Sequence, residues 1–232
     1  PFADILFKPN CAWDFRDNTN DDVVYDLIGG LAATPYPSNG AARTSSQGMT
    51  FDGNDQYLEL EPWEFGDEPM TVEAYVYYDE FNYFSRIIDF GNASGDENVI
   101  LANYGYTSSL AWSILVGTDS NSYRRTLTNI LEKDKWIHLV TTVSGTTMKV
   151  YKDGVLEDTI TNGWQPSKTK RTTHYVGKSW WSNDHYFEGT IAYLRFWHGT
   201  ALSASDVVTL YANRENKESF NFNIRGENAL TV

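Results

Sequence analysis

The chain has a single cysteine, Cys11, so it can form no internal disulfide. A β domain of this length can hold together without bridges, so the count assigns no redox compartment. Positive charge is also scarce: 18 Lys and Arg against 31 Asp and Glu give a formal net charge of -13. That field repels phosphate backbones and anionic lipid heads, which makes nucleic acid and membrane surfaces poor partners. No apolar run is long enough to span a bilayer, and no secretory leader is legible. The chain begins at Pro1 and is expected to be a mature product or an excised domain. A G-x-S-x-G elbow, a phosphate-binding P-loop and a His-Glu-x-x-His zinc motif are all missing. So are internal repeats, low-complexity tracts and any helix-period segment of normal length before Ser203.

What is abundant is aromatic side chain: 8 Trp, 15 Tyr and 12 Phe in 232 residues. Tyr and Trp join an apolar face to a polar edge, and those not needed by a core suit a binding surface. The apolar pattern is that of short alternating runs separated by Gly, Asn, Asp and Ser clusters, the all-β signal. It predicts strands at Tyr57–Leu60, Thr71–Tyr78, Arg86–Phe90, Asn98–Asn103, Leu110–Val116 and Tyr123–Thr128. Further strands are expected at Trp136–Val143, Met148–Lys152, Val155–Thr159, Tyr175–Ser179 and Thr190–Trp197. In Thr71–Tyr78, Val72, Ala74, Val76 and Tyr78 face one way, and Thr71, Glu73, Tyr75 and Tyr77 the other. Asp153-Gly154 supplies the positive φ angles of a tight type I′ hairpin. Ser203 and Asp206 form a capping box that opens a short helix with Val207, Leu210 and Tyr211 on one stripe.

The segment after Val176 is the most specific. Gly177, Ser179, Trp181, Asp184, Phe187, Gly189, Ile191, Arg195, Phe196, Trp197, Ala201, Leu202 and Ser203 fall at the spacing of the closing segment of laminin-G-like and pentraxin-like domains. Met49–Leu58, Met70–Val76, Trp136–Val140 and Val150–Gly154 resemble other segments of the same family, in the same order. The chain is therefore identified as similar to the concanavalin-A-like lectin/glucanase superfamily over about Trp13 to Asn213. The resemblance implies a two-sheet antiparallel jelly-roll sandwich with one short C-terminal helix. Residues 1–12 are then an N-terminal extension, 13–213 the sandwich, and 214–232 a tail or an added edge strand, Ser219–Ile224 being the alternating part. At one position, Ala192, this chain departs from the Asp that the family usually carries.

Sandwich glycosidases of this superfamily carry paired strand carboxylates, about 5–5.5 Å apart in retaining enzymes. Glu59-Leu60-Glu61 lacks the third carboxylate of the usual pattern and runs into Pro62, and Glu73 has no partner at that spacing. The glutamines Gln47, Gln56 and Gln165 are in no alginate-lyase element. The chain is thus expected not to be an enzyme. His138, His174, His185 and His198 share no zinc-ligand spacing, and His138 is expected to be a hydrogen-bonded core histidine.

Calcium is the metal the resemblance implies, since it takes hard oxygens from Asp, Asn and loop carbonyls. The expected ligands are Asp96, Asn98 and Asp184, on two rim loops that the fold would bring together. The oxygen-rich run Asp17–Asp22 reads as a solvated turn. A glycan site would stack pyranose faces on aromatics and fix hydroxyls with amide and charged groups. Trp180, Asn183 and His185 offer this in one loop, and Tyr104, Tyr106 and Tyr123 are candidates to line the neighbouring sheet. Trp181 is expected to pack the loop onto the sheet. Asn92-Ala93-Ser94 is an N-glycosylation sequon in a loop. Together these imply a non-catalytic, secreted or cell-surface, lectin-like module for a glycan or glycoprotein, assisted by Ca2+. An adhesive domain contacting other domains of a larger surface protein is the alternative, and a polysaccharide-active enzyme the third.

Overall fold

The computed structural model describes residues 8–16, 23–37, 43–93, 95–117 and 123–220, without the side chains of Arg43, Thr44 and Tyr123. In chain order the strands are β1 Cys11–Asp14, β2 Val24–Tyr25, β3 Ala32–Tyr36, β4 Arg43–Ser45, β5 Gly48–Asp52 and β6 Tyr57–Leu60. There follow β7 Trp63–Phe65, β8 Met70–Glu80, β9 Arg86–Gly91, β10 Val99–Asn103, β11 Ser109–Leu115 and β12 Tyr123–Asn129. The last six are β13 Trp136–Ser144, β14 Thr147–Lys152, β15 Val155–Ile160, β16 Thr169–Arg171, β17 Thr173–Val176 and β18 Glu188–His198. Helix α1, Ala204–Ala212, and a 3-10 turn at Lys217–Phe220 complete the described chain.

Two antiparallel sheets face each other. The first runs β15-β14-β13-β8-β18-β5-β4, with β1 also paired to β18, and the second runs β12-β11-β10-β9-β17-β6-β3-β2. Strands β16 and β7 form a small separate pair. The fold is the expected jelly-roll sandwich. Alternation decides which face each side chain takes. Val72, Ala74, Val76 and Tyr78 of β8 enter the main core with Trp13, Phe51, Trp112 and Phe187, and all eight are buried. Where β18 crosses β8, Gly189 has φ 142°, and a Cβ there would stand 2.1 Å from the Tyr77 carbonyl oxygen, so only glycine fits. Asp153 and Gly154 both have positive φ, 49° and 83°, as the β14–β15 hairpin requires.

The outer face of the first sheet is not left to solvent. Ser203 Oγ accepts from Asp206 N, and Ser203 N donates in return to Asp206 Oδ2 at 2.8 Å, so α1 starts where the capping box places it. Its Val207 and Leu210 then pack on Val140, Tyr151, Trp197 and Leu202. Beside it, Phe220 covers Ala12, Tyr75, Ala192 and Tyr193. The sandwich boundaries shift accordingly. Cys11 and Ala12 are not in an extension: they pair with Phe196 and Arg195 of β18. Ser219 and Phe220 lie in the 3-10 turn, not in an edge strand, and residues 221–224 lie outside the described residues. The run Asp17–Asp22 lies outside them as well. Strand Tyr175–Ser179 starts and ends earlier, at Thr173–Val176, because Gly177 with φ 81° turns the chain out of the sheet.

Candidate functional site

The outer face of the second sheet carries no helix among the described residues, and its register sets a line of side chains, all polar but Ile100, across it. Thr34, Glu59, Tyr175, Asp89, Ile100, Ser113 and Arg125 are successive cross-strand partners from β3 to β12. At one end of this face three loops meet: Phe81–Ser85, Tyr104–Ser108 and Gly177–Phe187. They are tied by main-chain groups. His185 N donates to Tyr83 O at 2.8 Å, and Phe84 N to Gly105 O at 3.0 Å. The buried Asn103 amide donates to Asn82 O and Gly105 O, at 2.8 and 2.6 Å, and the Asn82 amide to Tyr186 O at 3.3 Å.

This stitching gathers aromatic rings that are far apart in sequence. Tyr83 lies 5.1 Å from Tyr106 and 6.0 Å from His185, with Tyr106 5.8 Å from His185, all between ring centroids. Phe84 joins Tyr83 to Tyr104, at 4.7 and 4.9 Å. Tyr106 is 63% exposed, Tyr104 37% and Trp180 36%. A second group, Tyr36, Tyr57, Tyr175 and Tyr186, is centred on Tyr57, 5.2, 5.6 and 6.2 Å from the other three. Burial, then the charge of Glu59, pushes the Tyr57 hydroxyl up to about 12, so it remains a donor. Between the two groups the loop Lys178–Tyr186 encloses a hollow of about 310 Å³, lined among others by Trp180, Trp181, Asp184 and His185.

Of the residues expected in the site, Trp180, Asn183 and His185 share the hollow's loop, and Tyr104 and Tyr106 stand in the ring cluster that includes His185. Tyr123 opens β12 opposite Leu115, and its side chain is outside the described residues. Trp181 is half-buried: the Arg86 guanidinium lies 5.7 Å from its ring, and Gly95 lies beneath it. Tyr83, Lys178 and Arg86 carried no local sequence signal.

Of the three expected calcium ligands, Asp184 and Asn98 are engaged with protein partners, while Asp96 is half-buried ahead of β10. Asp184 Oδ2 accepts from Arg86 Nη2 at 2.6 Å and from Ser179 Oγ at 2.7 Å. Asn98 is buried and donates to Asp89 Oδ1 at 2.5 Å. Asp89 in turn accepts from Trp180 N at 3.0 Å and faces Arg86 Nε at 3.5 Å. Burial raises the Asp89 carboxyl above the ordinary carboxylate range, although Arg86, Trp180 N and Asn98 each oppose this. A fixed guanidinium thus stands between the carboxylates, and Asp89 separates Asn98 from Asp184. Among the described residues no group of three or more His, Cys, Asp or Glu could hold a metal. Ala192, where the family usually has Asp, is buried on the outer face of the first sheet under Phe220, on the opposite side of the sandwich from this line of residues.

The sequence of this sandwich matches the model of a laminin-G family described as Concanavalin A-like lectin/glucanases superfamily, over residues 52–208. The chain belongs to that superfamily. An α-L-arabinofuranosidase of Bifidobacterium longum subsp. longum is 23% identical over 220 residues, covering 86% of this chain and 20% of that enzyme. The chain therefore corresponds to one part of a much longer relative. Domain 4 of AbnA, a GH43 extracellular arabinanase from Geobacillus stearothermophilus solved with arabinotriose, is similar in structure. It has a TM-score of 0.71 at 20% identity, over 88% of this chain and 98% of that one. Trypanosoma rangeli sialidase gives 0.64 at 17% identity, over 89% of this chain and 33% of the sialidase. At these identities the two structural likenesses establish the fold alone.

Superfamily membership leaves open whether carboxylates here do chemistry. Glu73 is fully buried on the covered face of the first sheet. Its Oε1 accepts from His138 Nε2 at 2.7 Å and Arg195 Nη2 at 2.8 Å, and its Oε2 lies 2.6 Å from Arg195 Nε. Burial raises this carboxyl, but the Arg195 charge and the His138 bond outweigh it and hold it below the usual range. Glu61 Oε2 accepts from Ala32 N at 3.0 Å. Glu59 stands on the open face, and its nearest carboxylate in the cross-strand line is Asp89, one strand beyond Tyr175 and closed off by three donors.

Proposed function

We propose that this domain is a non-catalytic carbohydrate-binding module, secreted as part of a glycan-directed protein, that holds its ligand at the Lys178–Tyr186 loop. The observation that carries this reading is the exposed ring cluster Tyr83, Tyr104, Tyr106 and His185, opening beside the Trp180 hollow. Aromatic faces suit the C–H patches of a sugar ring, and Asn183 and His185 supply polar groups at the edge. Arabinose-containing glycans are the first candidates, because the relatives include an arabinofuranosidase and an arabinanase domain solved with arabinotriose. The absence of catalysis is supported by the carboxylates: Glu73 is sealed and ion-paired, and Glu59 has no reachable partner on its face. Arg86 takes the place at Asp184, one of the three residues where a cation was expected, so binding is proposed to need no calcium.

Titration of the intact domain with arabino-oligosaccharides by calorimetry, with and without EDTA, tests this. Saturable binding unchanged by EDTA, with no reducing ends released on long incubation, is the expected result. No binding across an arabinan, xylan, galactan and glucan panel would overturn the reading.

A further inference from the structure

Among the charged groups around the hollow, Lys178 differs from the rest. Arg86 is committed to Asp184, Asp89 and the Phe84 carbonyl, and Asp184 to Arg86 and Ser179. The Lys178 ammonium lies 4.1 Å from the Tyr57 ring centroid and 4.6 Å from that of Tyr175. It makes no hydrogen bond and no ion pair among the described residues. Glu59 acts on it through its charge but is beyond ion-pair distance. Two ring faces attract an ammonium, yet they leave its three N–H groups without an oxygen acceptor. The side chain is half-buried, and burial, partly opposed by Glu59, lowers its pKa. A partly desolvated cation with unspent donors, at the wall of a hollow also lined by Trp180 and Tyr186, is a receptor for an anionic group.

We propose that this hollow is a subsite for a carboxylated sugar residue, a uronate or a sialate, whose carboxylate pairs with Lys178 between Tyr57 and Tyr175. The inference rests on the glycan-binding reading above and adds to it a chemical class. Trp180 and Tyr186 supply apolar walls, and the ammonium supplies the charge-assisted bond. Because the domain carries a formal charge of -13, selectivity for an acidic sugar comes from this one contact and not from long-range attraction.

The experiment compares oligogalacturonate with its methyl ester, sialyllactose with its methyl ester, and neutral arabinotriose, by calorimetry at low and high salt. Wild type and Lys178→Met are used, with Lys178→Gln in reserve should the first variant not fold. In wild type one acid should bind about tenfold tighter than its own ester, or better, as loss of a charged hydrogen bond implies. The gap should narrow with salt, and in Lys178→Met the acid should lose more affinity than its ester, so that the gap vanishes. Which acid shows the gap assigns uronate or sialate. Equal affinity for acid and ester, or a variant that weakens both alike, overturns the subsite and leaves the glycan reading standing if arabinotriose binds. No binding of any probe overturns both.

Discussion

Arg86 Nη2 donates to Asp184 Oδ2 at 2.6 Å, joining the first residue of β9 to the loop that carries Trp180 and Trp181. Both side chains are largely buried, and Arg86 also faces Asp89. One guanidinium therefore fixes the loop from below, and the shape of the hollow depends on it.

Replacing this group should unseat the loop. Arg86→Met leaves Asp184 and the buried Asp89 without their cation, and breaking a buried pair from one side costs about 3–5 kcal/mol. Urea unfolding should show that loss together with a weaker glycan titration. A variant of native stability would mean that the ion pair is not what holds the loop.

Calcium should leave the melting midpoint where EDTA puts it. A ligand that binds only the native state adds RT ln(1+[L]/Kd), about 2.7 kcal/mol at a hundredfold excess over Kd. Asp184 Oδ2 and both Asp89 oxygens are engaged with Arg86, Asn98 Nδ2 and Trp180 N, which leaves Asn98 Oδ1 as the buried oxygen here without a partner among the described residues. A rise of several degrees in calcium would show that the ion competes successfully for them.

The two neighbouring tryptophans should separate. Trp180 is 36% exposed, so Trp180→Ala should shift stability by no more than about 0.5 kcal/mol while removing glycan affinity. Trp181→Ala uncovers Arg86 and should cost ~1–3 kcal/mol, less than the loss of a fully buried ring. Paired melting and titration curves of both variants decide this, and the opposite pattern exchanges their roles.

Glu73→Gln should act on stability and not on any reaction. It leaves Arg195 buried without its counter-charge, a loss of about 3–5 kcal/mol. The unfolding midpoint should fall sharply. Reducing ends released by wild type and absent from the variant at matched folded fraction would instead make Glu73 a catalytic group.

His174 gives the pH dependence its sign. It is fully buried and stacked on Trp63 at 3.8 Å, and burial, then the charge of Arg171, lowers its pKa to about 3. The folded value is below the unfolded one, about 6.5, so its contribution is complete above that pH and is lost as pH falls toward 3. Between pH 7.5 and 4.5 the loss should be ~2–3 kcal/mol. Denaturation of His174→Phe across the same range should lack that part of the slope, and an unchanged slope would assign it to other groups.

Local chemistry was legible in the sequence. The Asp153-Gly154 turn, the Ser203–Asp206 cap and the facing of Val72 to Tyr78 each depend on neighbours a few residues away. The closing segment from Gly177 to Ser203 likewise declared the family. Strands of two to five residues, such as β1, β2, β4 and β7, carry too few positions for a period to show. Cys11 and Ala12 therefore joined the sandwich only through their pairing with β18. The partners of charged groups were decided by tertiary structure. Glu73 meets His138 from 65 residues away and Arg195 from 122, because β8 lies between β13 and β18 in the sheet. Arg86 meets Asp184 across 98 residues, so a guanidinium already occupies one carboxylate oxygen of the oxygen-rich rim. Which oxygens remain free is set by strand order and register, and neither is a property of any one segment.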